Sequence, residues 1–259
     1  MLLNEVSVFI MDVSNSSNND IGNELSSYLQ QLQTSITKWT ENITITKVSH
    51  RAGDELVVVS SGYASAYILA FYISRIWKFV DHQPYFGLSF GNINQDITTL
   101  NLETWIHPLM KQARNANDYL KKQQNRSLFH MALPNVSDKH GWNTFSKQFE
   151  TLINTSFRLK QEHINDQTNI QSLVCSLYLI FGQQSEISQY LERTKGTISH
   201  HMKQGKTQVI LQAFHNIVEL LDSLEVSAEY QLTDMLQKNI RYHVMNHLQD
   251  YFPKGGRIS

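Results

Sequence analysis

Ile43-Thr-Ile-Thr-Lys-Val-Ser-His50, followed without a break by Arg51-Ala-Gly-Asp54 and Glu55-Leu-Val-Val-Val59, is the stretch whose reading decides the fold. Ile43, Ile45 and Val48 alternate with polar residues as on a half-buried strand, and Leu56 to Val59 is a continuous apolar run suited to a buried one. The four residues between them make a tight turn, so 43–60 is a β-hairpin. On the N-terminal side, Glu5 to Val13 is a second apolar run, and 20–40 has helical spacing. On the C-terminal side come a helix from Ala64 to about Val80, a strand opened by Pro84 (Tyr85-Phe-Gly-Leu-Ser-Phe-Gly91), a helix around 109–122 and a short strand at 127–131. The order is βαββαβ, the split βαβ arrangement of ferredoxin-like folds. Tyr63, Tyr67, Phe71, Tyr72, Trp77 and Phe79 are as dense as a helix packed on a sheet requires, and they are assigned to the core.

Composition changes after Pro134. Asn135-Val-Ser-Asp-Lys-His-Gly141 has the make-up of a linker, and everything beyond it has helical spacing: 152–163, 170–181, 184–205, 207–224 and 228–252. The chain is therefore α+β, with an α/β sandwich over 1–134 and an all-helical domain over 135–259. Two long stripes near the end, Ile210, Phe214, Ile217, Leu221 and Met235, Leu236, Ile240, Val244, Leu248, exceed the needs of a small helical unit. One is expected to form a dimer seam, the alternative being a role in the core.

Within the helical half, Gln184 to Gly205 has the pattern of a helix-turn-helix. Ile187 and Leu191 sit four apart, a polar turn follows, and Ile198 and Met202 again sit four apart. The second helix would bury Ile198 and Met202 and offer Lys195, Thr197, Ser199, His200 and Lys203 to a major groove. From Arg193 to Asn216 there is no Asp or Glu, while Arg193, Lys195, Lys203 and Lys206 add positive charge. No strand-like segment follows Gly205, so no wing is expected. The whole chain has a net charge of −1, so DNA affinity has to come from this local patch and from pairing two copies of it.

The composition excludes several classes. The 259 residues are 41% apolar, enough for real cores. The only cysteine, Cys175, lies in an apolar run, which rules out a disulfide framework or a cysteine zinc site and suits a reducing cytoplasm. No run nears the length of a spanning helix and no basic leader precedes one, so neither membrane insertion nor secretion is expected, and the location expected is cytoplasmic. There is no P-loop, dinucleotide fingerprint or Gly-x-Ser-x-Gly elbow. His200 and His201 are adjacent and point apart on a helix. His243 and His247 have ligand spacing but lack the glutamate of a metalloprotease.

The topology brings two acids together. With the first strand between the third and fourth, its end abuts the hairpin turn, so Asp12 meets Asp54. Two such carboxylates can hold Mg²⁺ against nucleotide phosphates, with Glu55 as a third ligand, or can merely cap a loop and a turn. Arg51 and Arg114 are candidates for anion contact or ordinary salt-bridge partners.

Phe9-Ile-Met-Asp-Val-Ser-Asn-Ser16, Arg51-Ala-Gly-Asp-Glu55, Tyr85-Phe-Gly-Leu-Ser-Phe-Gly91 and Ala113-Arg-Asn-Ala-Asn-Asp118 resemble, in order, blocks of the SatD family of bacterial proteins, distant relatives of class III nucleotidyl cyclases. The resemblance covers roughly residues 5–132, and the family's tendency to carry a C-terminal helix-turn-helix extends it further. It implies a cyclase-type sheet with Asp12 and Asp54 at the metal positions, and Arg114 and Asn117 beside a nucleotide. Arg114-Asn-Ala-Asn117 reverses the order cyclases use, so turnover is not implied. The function expected is a dimeric, DNA-binding transcriptional regulator whose first half senses a ligand or protein effector or organises the dimer. The alternatives are a Mg²⁺/nucleotide enzyme or switch, and a protein-interaction module.

Overall fold

In the computed structural model, which describes residues 4–14, 22–51, 53–124, 126–134, 142–225 and 231–253, the strands are β1 (Asn4–Val13), β2 (Thr46–Arg51), β3 (Glu55–Ser61), β4 (Pro84–Ile93) and β5 (Phe129–Met131). They form one mixed sheet of order β2-β3-β1-β4-β5, antiparallel throughout except for the parallel pair β4–β5. β1 runs between β3 and β4, as the hairpin reading requires. Helices α1 (Gly22–Thr40) and α2 (Ser65–Ile76) belong to the core on one face. There Phe9, Met11 and Val13 of β1 are buried with Leu25, Leu29, Tyr67 and Phe71. α3 (Pro108–Lys121) covers the other face, where Val6, Val8 and Ile10 meet Leu109, Met110 and Ala113. Burial on both faces is why β1 reads, from Val8 to Met11, as an apolar run and not an alternating one.

Among the described residues seven helices follow: α4 (Trp142–Asn165), α5 (Asn169–Phe181), α6 (Gln184–Tyr190), α7 (Lys195–Gln204), α8 (Thr207–Asp222), α9 (Leu232–Asn246) and the single turn α10 (Leu248–Tyr251). α4 starts before the expected 152, right after the linker, whose residues lie outside the described ones. α2 stops at Ile76 and not near Val80 because Trp77 turns extended and its indole donates to the carbonyls of Phe79 and His82. The expected helix 228–252 breaks at His247, whose backbone leaves the helical region.

The core continues from the first half into the second. The Phe71 and Phe214 rings stack at 4.2 Å, and Tyr67 lies 5.3 Å from Phe157. Asn239 donates to the Trp39 carbonyl, and the Ser35 and Tyr251 hydroxyls meet at 3.1 Å. Ile210, Phe214, Ile217 and Leu221 are buried in this core, as are Leu236, Ile240 and Val244. Neither stripe is free to form a dimer seam, Met235 alone among their residues being exposed. Cys175 is buried and acts as a packing residue. Among the described residues no helix is long and apolar enough to cross a membrane.

Candidate functional site

The outer face of α7 is the first candidate. Thr194 accepts from the Thr197 amide and starts the helix, while the Ser188 hydroxyl donates to the Arg193 carbonyl and holds the turn 191–194. Glu192 takes the left-handed conformation (φ 54°) that so tight a connection needs. Ile187, Ile198 and Met202 are buried, which anchors α6 and α7 on the core. Successive residues turn by about 100°, so His200 and Lys203 fall opposite Ile198 and Met202, Ser199 lies to the side, and Lys195, in line with the buried pair, projects from the first turn of the helix; all four are exposed. Arg193 is exposed at the turn.

Two expected contacts do not join this face. The Thr197 hydroxyl lies 2.9 Å from that of Thr194 within the cap and is half-buried. The Lys206 ammonium lies 3.1 Å from His163 Nδ1 and 3.6 Å from Asp166, tied to the end of α4. Gly205 stops α7 as expected, for a different reason. Its own φ is −79°, and Lys206 takes the left-handed conformation instead. A Cβ at Gly205 would come within 2.9 Å of Gln171 Cβ, so the glycine lets the turn press onto α5.

The second candidate lies where β1, the hairpin turn and α3 converge. Asp12, Ile10 and Val8 share the α3 face of β1 by strand alternation, and Glu55 shares that face of β3 with Val57 and Val59. On α3 the spacing i, i+3, i+7 lines up Arg114, Asn117 and Lys121 above them. The helix approaches closely because Gly87 of β4 has no side chain: a Cβ there would lie 2.1 Å from the Ala113 carbonyl oxygen.

Asp12 and Asp54 do meet, their carboxyls within hydrogen-bonding reach. Burial, followed by the neighbouring Asp54 charge, pushes the Asp12 carboxyl above the usual carboxylate range, against the opposing pull of Lys121, with which it forms an ion pair. Glu55 does not join as a third ligand. Arg114 grips it with two bonds, at 2.8 and 3.1 Å, and Arg51 holds it at 3.0 Å while also donating to the Leu102 carbonyl. Both arginines expected at an anion are thus engaged with a carboxylate, and Glu55 raises the Arg114 pKa further. Asn117 is buried, and its amide donates to the carbonyls of Ile10 and Tyr85, so it clamps α3 to β1 and β4 and is not free to touch a nucleotide.

Among the described residues no group of three or more His, Cys, Asp or Glu side chains could hold a metal ion. The two aspartates meet the modest demand of Mg²⁺, one or two carboxylates with phosphate oxygens completing the shell, once Lys121 leaves Asp12. Beside them an open groove of about 560 Å³ is lined by Ser14, Tyr85, Lys121, Lys122 and Arg126, with the Arg126 guanidinium 5.3 Å from the Tyr85 ring centre. Lys121, Lys122 and Arg126 escaped the sequence reading. Lys121 was reachable from it, since it lies one heptad beyond Arg114 on the same face of α3.

No protein-family model, no curated protein and no solved structure matches the chain.

Proposed function

We propose that the chain is a sequence-specific DNA-binding transcriptional regulator that acts as a homodimer, its first half being a degenerate cyclase-like unit that senses a ligand or organises the dimer. The observation that carries this reading is the outer face of α7. His200 and Lys203 stand exposed on the side opposite the buried Ile198 and Met202, with Ser199 beside them and Lys195 exposed at the start of the helix, in a stretch without acids. Cationic ends supply phosphate contacts, and hydroxyl and imidazole groups supply base-edge contacts. Gly196, open on the same side, lets a sugar-phosphate backbone come close. Selection of bound duplexes from random DNA, using the full chain, is expected to yield one enriched motif. The Lys195→Ala/Lys203→Ala variant should bind it at least 10-fold more weakly and with a shallower salt dependence. No enriched motif, or unchanged binding by the double variant, overturns the reading.

A second reading rests on the Asp12–Asp54 contact: a Mg²⁺/nucleotide switch, in which the two carboxylates hold the ion and Lys122 and Arg126 of the groove receive phosphate. Thermal shift with Mg²⁺ and each nucleoside triphosphate is expected to raise the melting temperature of the wild type and not of Asp54→Ala. No shift with any of them removes this reading and leaves the first intact.

A further inference from the structure

With the two C-terminal stripes spent on the core, the apolar side chains best placed to pair two copies are on α4. Phe145, Leu152 and Leu159 are 49%, 70% and 56% exposed. Spaced seven apart, they drift by only about 20° per step and form one straight ridge along the helix. Ile153 and Phe157, farther round the helix, are buried, as is Phe149, whose ring lies 6.3 Å from that of Phe145. Beside the ridge Gln148, Thr151, Thr155 and Ser156 are uncharged. The three hydroxyls already donate to backbone carbonyls one turn back, those of Lys147, Thr151 and Leu152. Covering them with apolar surface therefore strands no donor. Glu150 is turned away onto the Leu133 amide, and the exposed charges of this helix, Lys147, Arg158 and Glu162, lie farther round it. An apolar centre depleted of charge is the composition of an interface core. The exposed Met235 and Tyr242 of α9, by contrast, alternate with the charges of Asp234 and Lys238.

We infer that α4 is the seam on which a second copy of this chain docks, antiparallel and centred on Leu152, so that two-fold-related ridges pair Leu152 with itself and Phe145 with Leu159. This rests on the DNA-binding reading for its consequence, which is a distance. His163, at the far end of α4, holds Lys206 of the α7–α8 turn, and Gln167 just beyond holds the Gly205 carbonyl. The α7 unit is thus tethered at the C-terminal end of α4. Leu152 to His163 is eleven residues, so at about 1.5 Å per residue an antiparallel seam sets the two tethers about 33 Å apart along the helices. Half-sites one turn of DNA apart are centred about 34–36 Å from each other.

The size of the seam sets its strength. A ridge about 21 Å long on a helix about 10–12 Å wide offers a few hundred Å², against about 800 Å² per partner in a stable interface. Pairing is therefore weak in free solution and is driven by two copies on adjacent half-sites.

The test is a crosslink. Cys175 is buried, so an added cysteine reports alone. Leu152→Cys, oxidised at high protein concentration or on a duplex carrying two copies of the selected half-site, is expected to give a disulfide dimer. Phe145→Cys should do so only when mixed with Leu159→Cys. Leu152→Glu, at an exposed position and folding as the wild type, should bind the two-site duplex at least 10-fold more weakly and a single half-site within twofold. Inserting about half a turn of DNA between the half-sites should abolish the wild type's advantage. No Leu152→Cys dimer under either condition, or two-site binding unaffected by Leu152→Glu, overturns the seam. If the chain selects no DNA at all, the DNA-binding reading fails, and the crosslink at high concentration still decides the seam by itself.

Discussion

Lys160 is the residue whose chemistry fits its surroundings least. It is only 2% exposed, and its ammonium lies 4.5–5.5 Å from the ring centres of Phe71, Tyr67, Phe129 and Phe157, with the Tyr67 hydroxyl as its hydrogen-bond partner. Among the described residues no carboxylate pairs with it, and burial, helped by the nearby Arg75 charge, holds its pKa well below the usual lysine value. Ring faces attract a cation, but each such contact contributes only about 0.5–2 kcal/mol, and a buried charge costs more. Below the depressed folded value Lys160 is charged in both states and the burial cost is complete. As pH rises from there towards 10.5 the unfolded chain binds more protons than the folded one, so stability rises. Lys160→Met alone strands the buried Tyr67 hydroxyl. Lys160→Met with Tyr67→Phe removes both polar partners and should raise the melting temperature by several degrees at pH 7 and flatten its rise between pH 7 and 9.5. Melting curves of the wild type and both variants across that range check this, and a lower melting temperature for the double variant would show that the cage stabilises the cation.

At the scale of elements, what the sequence made legible was whatever depends on local period, and what it hid depends on partners far along the chain. The hairpin, the order of strands and the Asp12–Asp54 contact followed from alternation and topology. Asn117 was misassigned because its partners, the carbonyls of Ile10 and Tyr85, belong to strands 107 and 32 residues away. Nothing in Arg114-Asn-Ala-Asn117 says that α3 lies on the face opposite α1 and α2. Gly87 was a clue: a glycine inside an apolar strand marks close approach, and here α3 sits directly on it. The stripes of α8 and α9 were misjudged for the converse reason. An amphipathic helix announces that one face is covered without saying by what, and here the cover is α1, α2, α4 and α5 of the same chain. On α4 the ridge of Phe145, Leu152 and Leu159 was overlooked because that helix is apolar on two sides, and periodicity alone does not rank them.

At the scale of the molecule, the question is how the helical half is held to the sheet, and Glu225 is one fastening that responds to pH. It follows α8, and its carboxylate accepts from the backbone amides of Tyr63 and Ala64 at the start of α2, capping that helix from more than 160 residues away. Burial, and then the charges of Asp222 and Glu5, raise its pKa from 4.5 to about 7 in spite of those amides. Between these two values the folded chain holds a proton that the unfolded chain has released, so this group's contribution to stability falls as pH rises from about 4.5 to about 7 and is constant above. Asp12 and Asp222, whose pKa values are also raised, act in the same sense beginning near 3.8. Glu225→Gln keeps an acceptor for the amides and removes the titration. His107, His130, His215 and Lys160, whose pKa values are lowered, act in the opposite sense, so the check is a difference: the melting temperature of Glu225→Gln minus that of the wild type should rise between pH 5 and 7.5. Identical slopes for the two proteins would show that Glu225 titrates near its ordinary value, making the α8–α2 contact a plain helix cap with no pH dependence near neutrality.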